Sequence, residues 1–192
     1  GTVGTNVSGT SDLAPLDQQA AMITDLVPDA KKVAMLYCSA EANSDYQVKK
    51  VTEYLTAKGI TCVNYAFTDS NDVSIVAKNA AENADVIYIP TDNTAADCTE
   101  TINNVIGDTP VFAGEEGICS GCGVATLSIS YYDLGVKTGK MAAKILKGEA
   151  DISEMEIEYV ETFAKKYNKA KCQQLNIDTA ALEAKGYTAI ED

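Results

Sequence analysis

The sequence predicts an α/β protein built on a doubly wound parallel sheet, and three observations carry that prediction. Short apolar runs alternate with longer segments of helical period, giving a β-α-β-α order. The runs are rich in Val, Ile and Tyr and lack strict polar alternation, as strands covered on both faces do. After each run comes a loop crowded with Ser, Thr, Asn, Asp and Glu, residue types suited to βα turns that open helices.

A helix over about 14–27 comes first, with Leu16, Ala20, Ile23 and Val27 close to i, i+4, i+7 and i+11 spacing and Pro28 closing it. "KKVAMLYC" then reads as a strand and "SDYQVKKVTEYLTAKG" as the helix after it, with Gly59 as its stop. "ITCVNYAF", "DVIYIP" and "TPVFAG" are the next strands, with "DVSIVAKNAAENA" and "TAADCTETINNVIG" as the helices between them. "VATLSIS" reads as a further strand, and a helix over 131–147 follows it. No long linker, low-complexity tract or solenoid-length repeat interrupts the recurring βα unit.

With 192 residues, 46% hydrophobic and 22% charged, the chain has the balance of one soluble globular unit with a sizeable core. Its formal net charge is −13, from 28 acidic residues against 15 basic ones, all lysine. Such a surface repels a polyanion, which argues against nucleic acid as a partner. No apolar run approaches the ~20 residues that a membrane-spanning helix needs. "GTVGTNVSGTSD" lacks the basic and apolar regions of a signal peptide, which leaves export open. Six cysteines, at 38, 62, 98, 119, 122 and 172, form neither a disulfide scaffold nor a metal framework.

In a doubly wound sheet, ligands sit outside the carboxyl ends of the strands, where βα loops and helix N-termini converge. The loops there read "CSAEANSD", "TDSND", "PTDNTAAD" and "GEEGICSG". Asn43 or Ser44, Asn71 and Asn93 are placed to cap the helices that follow. Capping leaves Glu41, Asp92, Glu115 and Glu116 without a role, yet three loops bring carboxylate to one rim. Their mutual repulsion is unhelpful unless a cation or donor-rich group arrives. Helix N-termini at the same rim offer unsatisfied N–H groups to an anion. Carboxylates beside open amides suit a zwitterion, and an amino acid has both ends.

"NVSGTSDLAPLDQQ", "LYCSAEANSDYQV", "IYIPTDNTA", "PVFAGEEG" and "SISYYDLGVKTGKMAAKILKGE" together resemble, in this order, the TrpX-like substrate-binding proteins of ABC transporters. The resemblance runs from about residue 6 to about 177, and "DTAALEAKGYTAIED" falls outside it. It implies one lobe of a type I periplasmic-binding-protein fold, whose two lobes close on a ligand about a hinge. Members of that group begin with roughly a hundred residues, about one ordinary domain, that build most of the first lobe, and this chain lacks them. Residues 6–128 and about 157–192 are then expected to form the second lobe, and 129–156 a crossover helix belonging to the otherwise missing first lobe. The apolar Leu134, Val136, Met141, Ala142, Ile145 and Leu146 of helix 131–147 are expected to pack on the sheet or on a second copy of the chain, a homodimer.

The resemblance also implies a site. Ser39, Glu41 and Asn43 come from "SAEANS", Thr91, Asp92 and Asn93 from "PTDN", Glu115 from "GEEG", and Tyr131 or Tyr132 from "SYYDLG". Glu41, Asp92 or Glu115 would accept from an α-amino group, a charge-assisted bond stronger than a neutral one. Ser39, Asn43, Thr91 and Asn93 would orient polar groups or hold the carboxylate, and a hinge Tyr would face an aromatic side chain. Ser11 and Asp12 of "GTSD" are weaker candidates, equally able to cap the first helix. The implied partners are a small amino acid-like ligand and an ABC transporter permease, at an extracytoplasmic location, periplasmic or on a cell-surface lipoprotein. No cofactor and no metal are implied.

Cys119 and Cys122 form a C-x-x-C within "AGEEGICSGCGVATL". A catalytic dithiol sits at a helix N-terminus, and zinc takes four ligands from Cys and His. Here Gly117, Gly121 and Gly123 surround the pair, a strand follows, and the chain has no His and no second C-x-x-C. The expectation is a pair of loop cysteines, free or disulfide-bonded, ahead of a metal or redox role; the other four read as small core residues. An enzyme is the competing functional class. The absence of His, of G-x-S-x-G, of a P-loop and of a strand-following G-x-G-x-x-G weighs against it. Glu115 and Asp92 leave room for a carboxylate-dependent hydrolase. A ligand-sensing domain of the same fold would differ by what it is fused to, and no DNA-binding or signalling segment is visible.

Overall fold

The computed structural model describes residues 1–191. In chain order its elements are β1 (Thr10–Ser11), α1 (Leu16–Leu26), β2 (Lys32–Cys38), α2 (Ala42–Ala57), β3 (Thr61–Phe67), α3 (Val73–Asn83), β4 (Val86–Ile89), α4 (Asn93–Asp97), α5 (Thr99–Val105) and β5 (Val111–Ala113). There follow α6 (Glu116–Cys122), β6 (Ala125–Ile129), α7 (Tyr131–Leu146), a 3-10 turn (Ile152–Glu154), β7 (Glu158–Tyr159), β8 (Phe163–Tyr167), α8 (Lys169–Gln174), α9 (Thr179–Ala184) and β9 (Thr188–Ala189). Two compact units divide the chain: a smaller one of Gly1–Ala14 and Ile129–Ala164, and a larger one of Pro15–Ser128 and Lys165 onward. Residues 6–14 and 157–164 therefore group with the smaller unit, as does α7.

The larger unit is built on a sheet of strand order β3-β2-β4-β5-β6-β8-β9. Each pair with a recorded register is parallel, from Lys32↔Thr61 to Tyr167↔Ala189. Because helices cover both faces, the central strands bury successive residues on opposite sides. Val33, Met35 and Tyr37 of β2 join Val86 and Tyr88 of β4 in a cluster with Ile23 of α1 and Val51 and Leu55 of α2. Ala34, Leu36 and Cys38 join Ile87 and Ile89 in a second cluster with Ala77 of α3, Ile102 of α5 and Ile118 of α6. Each large apolar side chain so buried contributes on the order of 1.5–3 kcal/mol. β3 is an edge strand, and its exposed and half-buried residues follow from having one neighbour. Gly59 ends α2 in the left-handed conformation, φ +82°, and lets Ile60 donate back to Leu55 O at 3.1 Å.

In the smaller unit β1 pairs in parallel with β7, Thr10 opposite Glu158 and Ser11 opposite Tyr159. The α7 helix is tied to these strands by the Thr10 and Thr138 hydroxyls, 2.7 Å apart, and by Lys137 Nζ, which donates to Tyr159 O at 2.6 Å. Met141 is the buried residue of α7, and neither apolar cluster draws on the smaller unit.

Three details differ from the sequence pattern. "TAADCTETINNVIG" breaks at Cys98 into α4 and α5, because the Cys98 N–H turns to Ala95 O, three residues back. The expected caps are displaced: Asp92 caps α4, and α2 and α3 begin after Glu41 and Asp72 with no side-chain cap of their own. Cys119 and Cys122 lie on α6 and not in a loop, both buried as free thiols.

Candidate functional site

The winding of the larger sheet reverses at β2, with β3 on one side of it and β4 on the other. At such a reversal the βα loops diverge and leave a crevice at the carboxyl ends of the strands. The flanking loops here carry Ser39 to Glu41 after β2 and Pro90 to Asp92 after β4.

Their carboxylates are bound to backbone. Glu41, from the loop after β2, accepts from the N–H groups of Asn93 at 3.0 Å and Thr94 at 2.8 Å and from the Thr94 hydroxyl at 2.7 Å, so it caps α4 across the crevice. Asp92, 1% exposed, accepts from Ala95 N–H at 2.8 Å and Cys38 N–H at 2.7 Å. Glu115 accepts from Gly117 N–H at 3.0 Å and from Ile118 N–H. Capping thus does account for three carboxylates that the sequence pattern sets apart from it. Burial pushes the Glu41 pKa up, but the bonds from Thr94 and Asn93 outweigh it and hold the carboxyl below its ordinary value. For Asp92 burial prevails over the Cys38 and Ala95 N–H groups, and the nearby Glu41 charge adds to the rise.

The loops are also stitched to one another. Thr91 O accepts from Asn43 Nδ2 at 2.9 Å, Gln47 Nε2 at 3.3 Å and Ser44 Oγ at 3.4 Å, while Thr91 N–H donates to Gln47 Oε1 at 3.1 Å. Thr91 Oγ1 donates to Gly114 O at 3.4 Å, and Gly114 N–H donates to Ile89 O at 2.7 Å, which brings in the loop after β5. A Cβ at Gly114 would lie 2.6 Å from Thr91 N and 2.7 Å from Pro90 C, so the two loops touch backbone to backbone. Ser39 donates its N–H at 2.9 Å and its hydroxyl at 3.1 Å to Phe67 O at the end of β3. Beneath this border Gln19 donates to Gly114 O at 3.1 Å and Leu127 O at 2.8 Å and accepts from Tyr88 OH at 2.5 Å. Burial raises the Tyr88 pKa, which keeps that hydroxyl a donor.

Ser39, Glu41, Asn43, Thr91, Asp92, Asn93 and Glu115 therefore meet along the carboxyl ends of β2, β4 and β5. Ser39, Asn43 and Asn93 are exposed, Glu41, Thr91 and Glu115 half-buried, and Asp92 lies below them. The arrangement offers hydroxyl, amide and partly exposed carboxylate groups to a small polar ligand. Tyr131 and Tyr132 open α7 in the smaller unit, 52% and 79% exposed. The loop motifs did not point to Gln47, Thr94 or Gln19. Gln47 stands at i+4 from Asn43 on one helix face, and Gln19 interrupts the apolar stripe of α1, so both had a readable signal. Among the described residues no group of three or more His, Cys, Asp or Glu is arranged to hold a metal ion, and no helix is long and apolar enough to cross a membrane.

Residues 2–183 match the family described as ABC transporter substrate binding protein. The chain is 32% identical over 149 residues to the tyrosine-binding protein of Clostridioides difficile (strain R20291), a match covering 77% of this chain and 43% of that protein. It is similar in structure to an ABC domain from Streptococcus pneumonia in complex with L-Trp, with a TM-score of 0.88 and 30% identity over 98% of this chain and 66% of that one. A ligand-free, open substrate binding protein with adhesive properties from Clostridium difficile gives a TM-score of 0.77 at 32% identity, over 98% of this chain and 64% of that one. The chain thus spans less than two thirds, or about two thirds, of the length of these relatives. The fold is of the type I periplasmic-binding-protein kind, and the chain belongs to the ABC transporter substrate-binding protein family.

Proposed function

We propose that this chain is the ligand-gripping part of an extracytoplasmic binding protein that delivers an aromatic α-amino acid to the permease of an ABC importer. The observation that supports the reading most is the convergence of three polar βα loops at the reversal of the sheet, in a chain 30% identical to a protein held in complex with L-Trp. In this reading the ligand ammonium meets Glu115, whose partly exposed oxygens each accept one capping bond and keep a lone pair, while Glu41, with four bonds from Asn93 and Thr94, adds its charge nearby. Ser39, Asn43, Thr91 and Asn93 orient the carboxylate and the backbone of the ligand. Asp92 positions α4 from below and makes no contact itself. Tyr131 or Tyr132 enters the contact set through the resemblance to the family. The ligand is bound and released unchanged.

Calorimetry tests the reading. Heat with L-Trp or L-Tyr, lost with their N-acetyl derivatives, supports it; binding of a sugar and of no amino acid overturns it. Glu115→Gln is expected to weaken binding about tenfold, the loss of one charge-assisted bond. Hydrolysis of a glycoside or ester that disappears in Glu115→Gln favours the carboxylate-dependent hydrolase instead.

We further infer that the smaller unit is part of a first lobe completed by chain outside these 192 residues, consistent with relatives longer than this chain. In its absence a second copy covers the same face of α7.

A further inference from the structure

The larger unit holds a cavity of about 540 Å³ at the amino-terminal ends of its strands, opposite in polarity to the βα rim, and no rim residue lines it. Its side chains are graded from floor to mouth. Phe112, Val124 and Leu182 form a buried floor, and Leu26, Val27 and Ile177 a half-buried apolar wall. At the mouth stand three exposed carboxylates, Asp25, Asp108 and Asp178. Lys185 is the cation of the lining, and its ammonium is already committed to Asp25 O at 2.7 Å. The carboxyl ends of α1, α5 and α8 fall beside this cavity and add partial negative charge. The start of α9 also borders it and is capped by Asp178, which accepts from Ala180 N–H at 3.0 Å, so Asp25 and Asp108 are the mouth carboxylates not spent on that cap.

A volume of this size lies in the ~300–1,000 Å³ range of small-molecule sites, and an apolar interior with few convergent charges is their usual chemistry. The wall and floor call for a hydrocarbon body. The mouth repels an anion and favours a cation. We propose that this cavity is a second binding site, separate from the rim, for a small organic cation with an aromatic or branched aliphatic body. The body rests on Phe112 and Val124, and the ammonium sits at the mouth between Asp25 and Asp108.

The test is an amide NMR titration of this chain with 2-phenylethylammonium, 2-phenylethanol and 3-phenylpropanoate, three probes of one shape and different charge. Saturable shifts at Val124, Ile177 and Leu182 are expected, with the cation binding at least about tenfold more tightly than the anion. The double variant Asp25→Asn with Asp108→Asn should erase that preference while leaving the neutral alcohol unaffected. Ala181→Trp, at an exposed lining position of α9, should abolish binding of all three without lowering the thermal midpoint or the binding of L-Trp. The proposal is overturned by any of four results: no saturable shift at millimolar probe, shifts confined to the Ser39 and Thr91 region, equal affinity for the anion, or a cation preference that survives the double variant. Because the probes and amides differ from those of the rim, failure here leaves the rim reading standing, and failure at the rim leaves this one standing.

Discussion

At the scale of single residues, Glu41 shows how a side chain can look like a ligand contact in sequence and act as a fastener in space. Its carboxylate belongs to one loop and satisfies the first N–H groups of the helix after another, Asn93 and Thr94. Glu41→Gln replaces one accepting oxygen with an NH2 that faces those donors. The expected loss is about 1 kcal/mol of unfolding free energy at neutral pH, the usual worth of a cap. The pH dependence has a fixed sign. Since the folded pKa lies below the ordinary value, the stabilisation is complete above the unfolded pKa and is lost as pH falls through the folded one. The gap between parent and variant in urea denaturation should therefore narrow from about pH 7 to about pH 3; a gap that stays constant or widens on acidification contradicts the capping account. Loop composition made the rim legible, because Ser39, Asn43, Thr91 and Asn93 all lie on it. It concealed the division of labour, since a carboxylate that caps and one that binds solute read alike in one dimension.

At the scale of elements, the alternation of strands and helices was legible because burial on both faces removes polar residues from β2 and β4, and that signature survives in the sequence. For the C-x-x-C the free thiols agree with the expectation, but the loop placement does not, for an equally physical reason. Three glycines around Cys119 and Cys122 suggest a loop, yet α6 spans just Glu116–Cys122, capped by Glu115, and an i,i+3 spacing turns both thiols to one face. That face joins the cluster formed with α3, α5 and β4. Burial raises the Cys119 thiol well above its ordinary pKa, with the neighbouring Cys122 and Cys172 adding to the rise, and pushes Cys122 to about 12 and Cys172 to about 11. A thiolate is the reactive form, so these three are expected to be silent toward a disulfide reagent at neutral pH in the native protein and to react on unfolding. Prompt native labelling of Cys119 or Cys122, read by peptide mapping, would count against a structural role. The contact between the ends of β4 and β5 admits a second element-scale test. Gly114→Ala sets a methyl 2.6 Å from Thr91 N, where backbone and not a flexible side chain must give way. Overpacking of this kind costs about 1–3 kcal/mol, and the displaced Thr91 should weaken amino acid binding as well. Unchanged stability and affinity would mean that the two loops are not held together there.

At the scale of the molecule, the two units differ in how well each covers its own apolar surface. Nine of the twelve exposed large hydrophobic residues among those described belong to the smaller unit, including Val3, Val7, Tyr132, Val136 and Leu146. Leu146 is 87% exposed on a helix whose other face has only Met141 buried. The larger unit, by contrast, contains both apolar clusters. Exposed apolar side chains concentrated in one unit are the feature on which the proposed covering of α7 rests. The expected behaviour of this chain alone is reversible self-association through α7, visible as a sedimentation coefficient that rises with concentration. Val136→Lys with Leu146→Lys should abolish it without lowering the thermal midpoint of the larger unit, since neither side chain joins its clusters. On the proposal that additional chain completes the smaller unit, a longer form carrying the additional length of the relatives should be monomeric. It should also bind amino acid more tightly than the shorter form, as enclosure removes more of the ligand from water. A strict monomer for the shorter chain, with α7 amides exchanging hydrogen as freely as a solvated helix, would show that the face needs no cover. Submicromolar affinity in that same chain would show that its rim suffices to hold a ligand by itself.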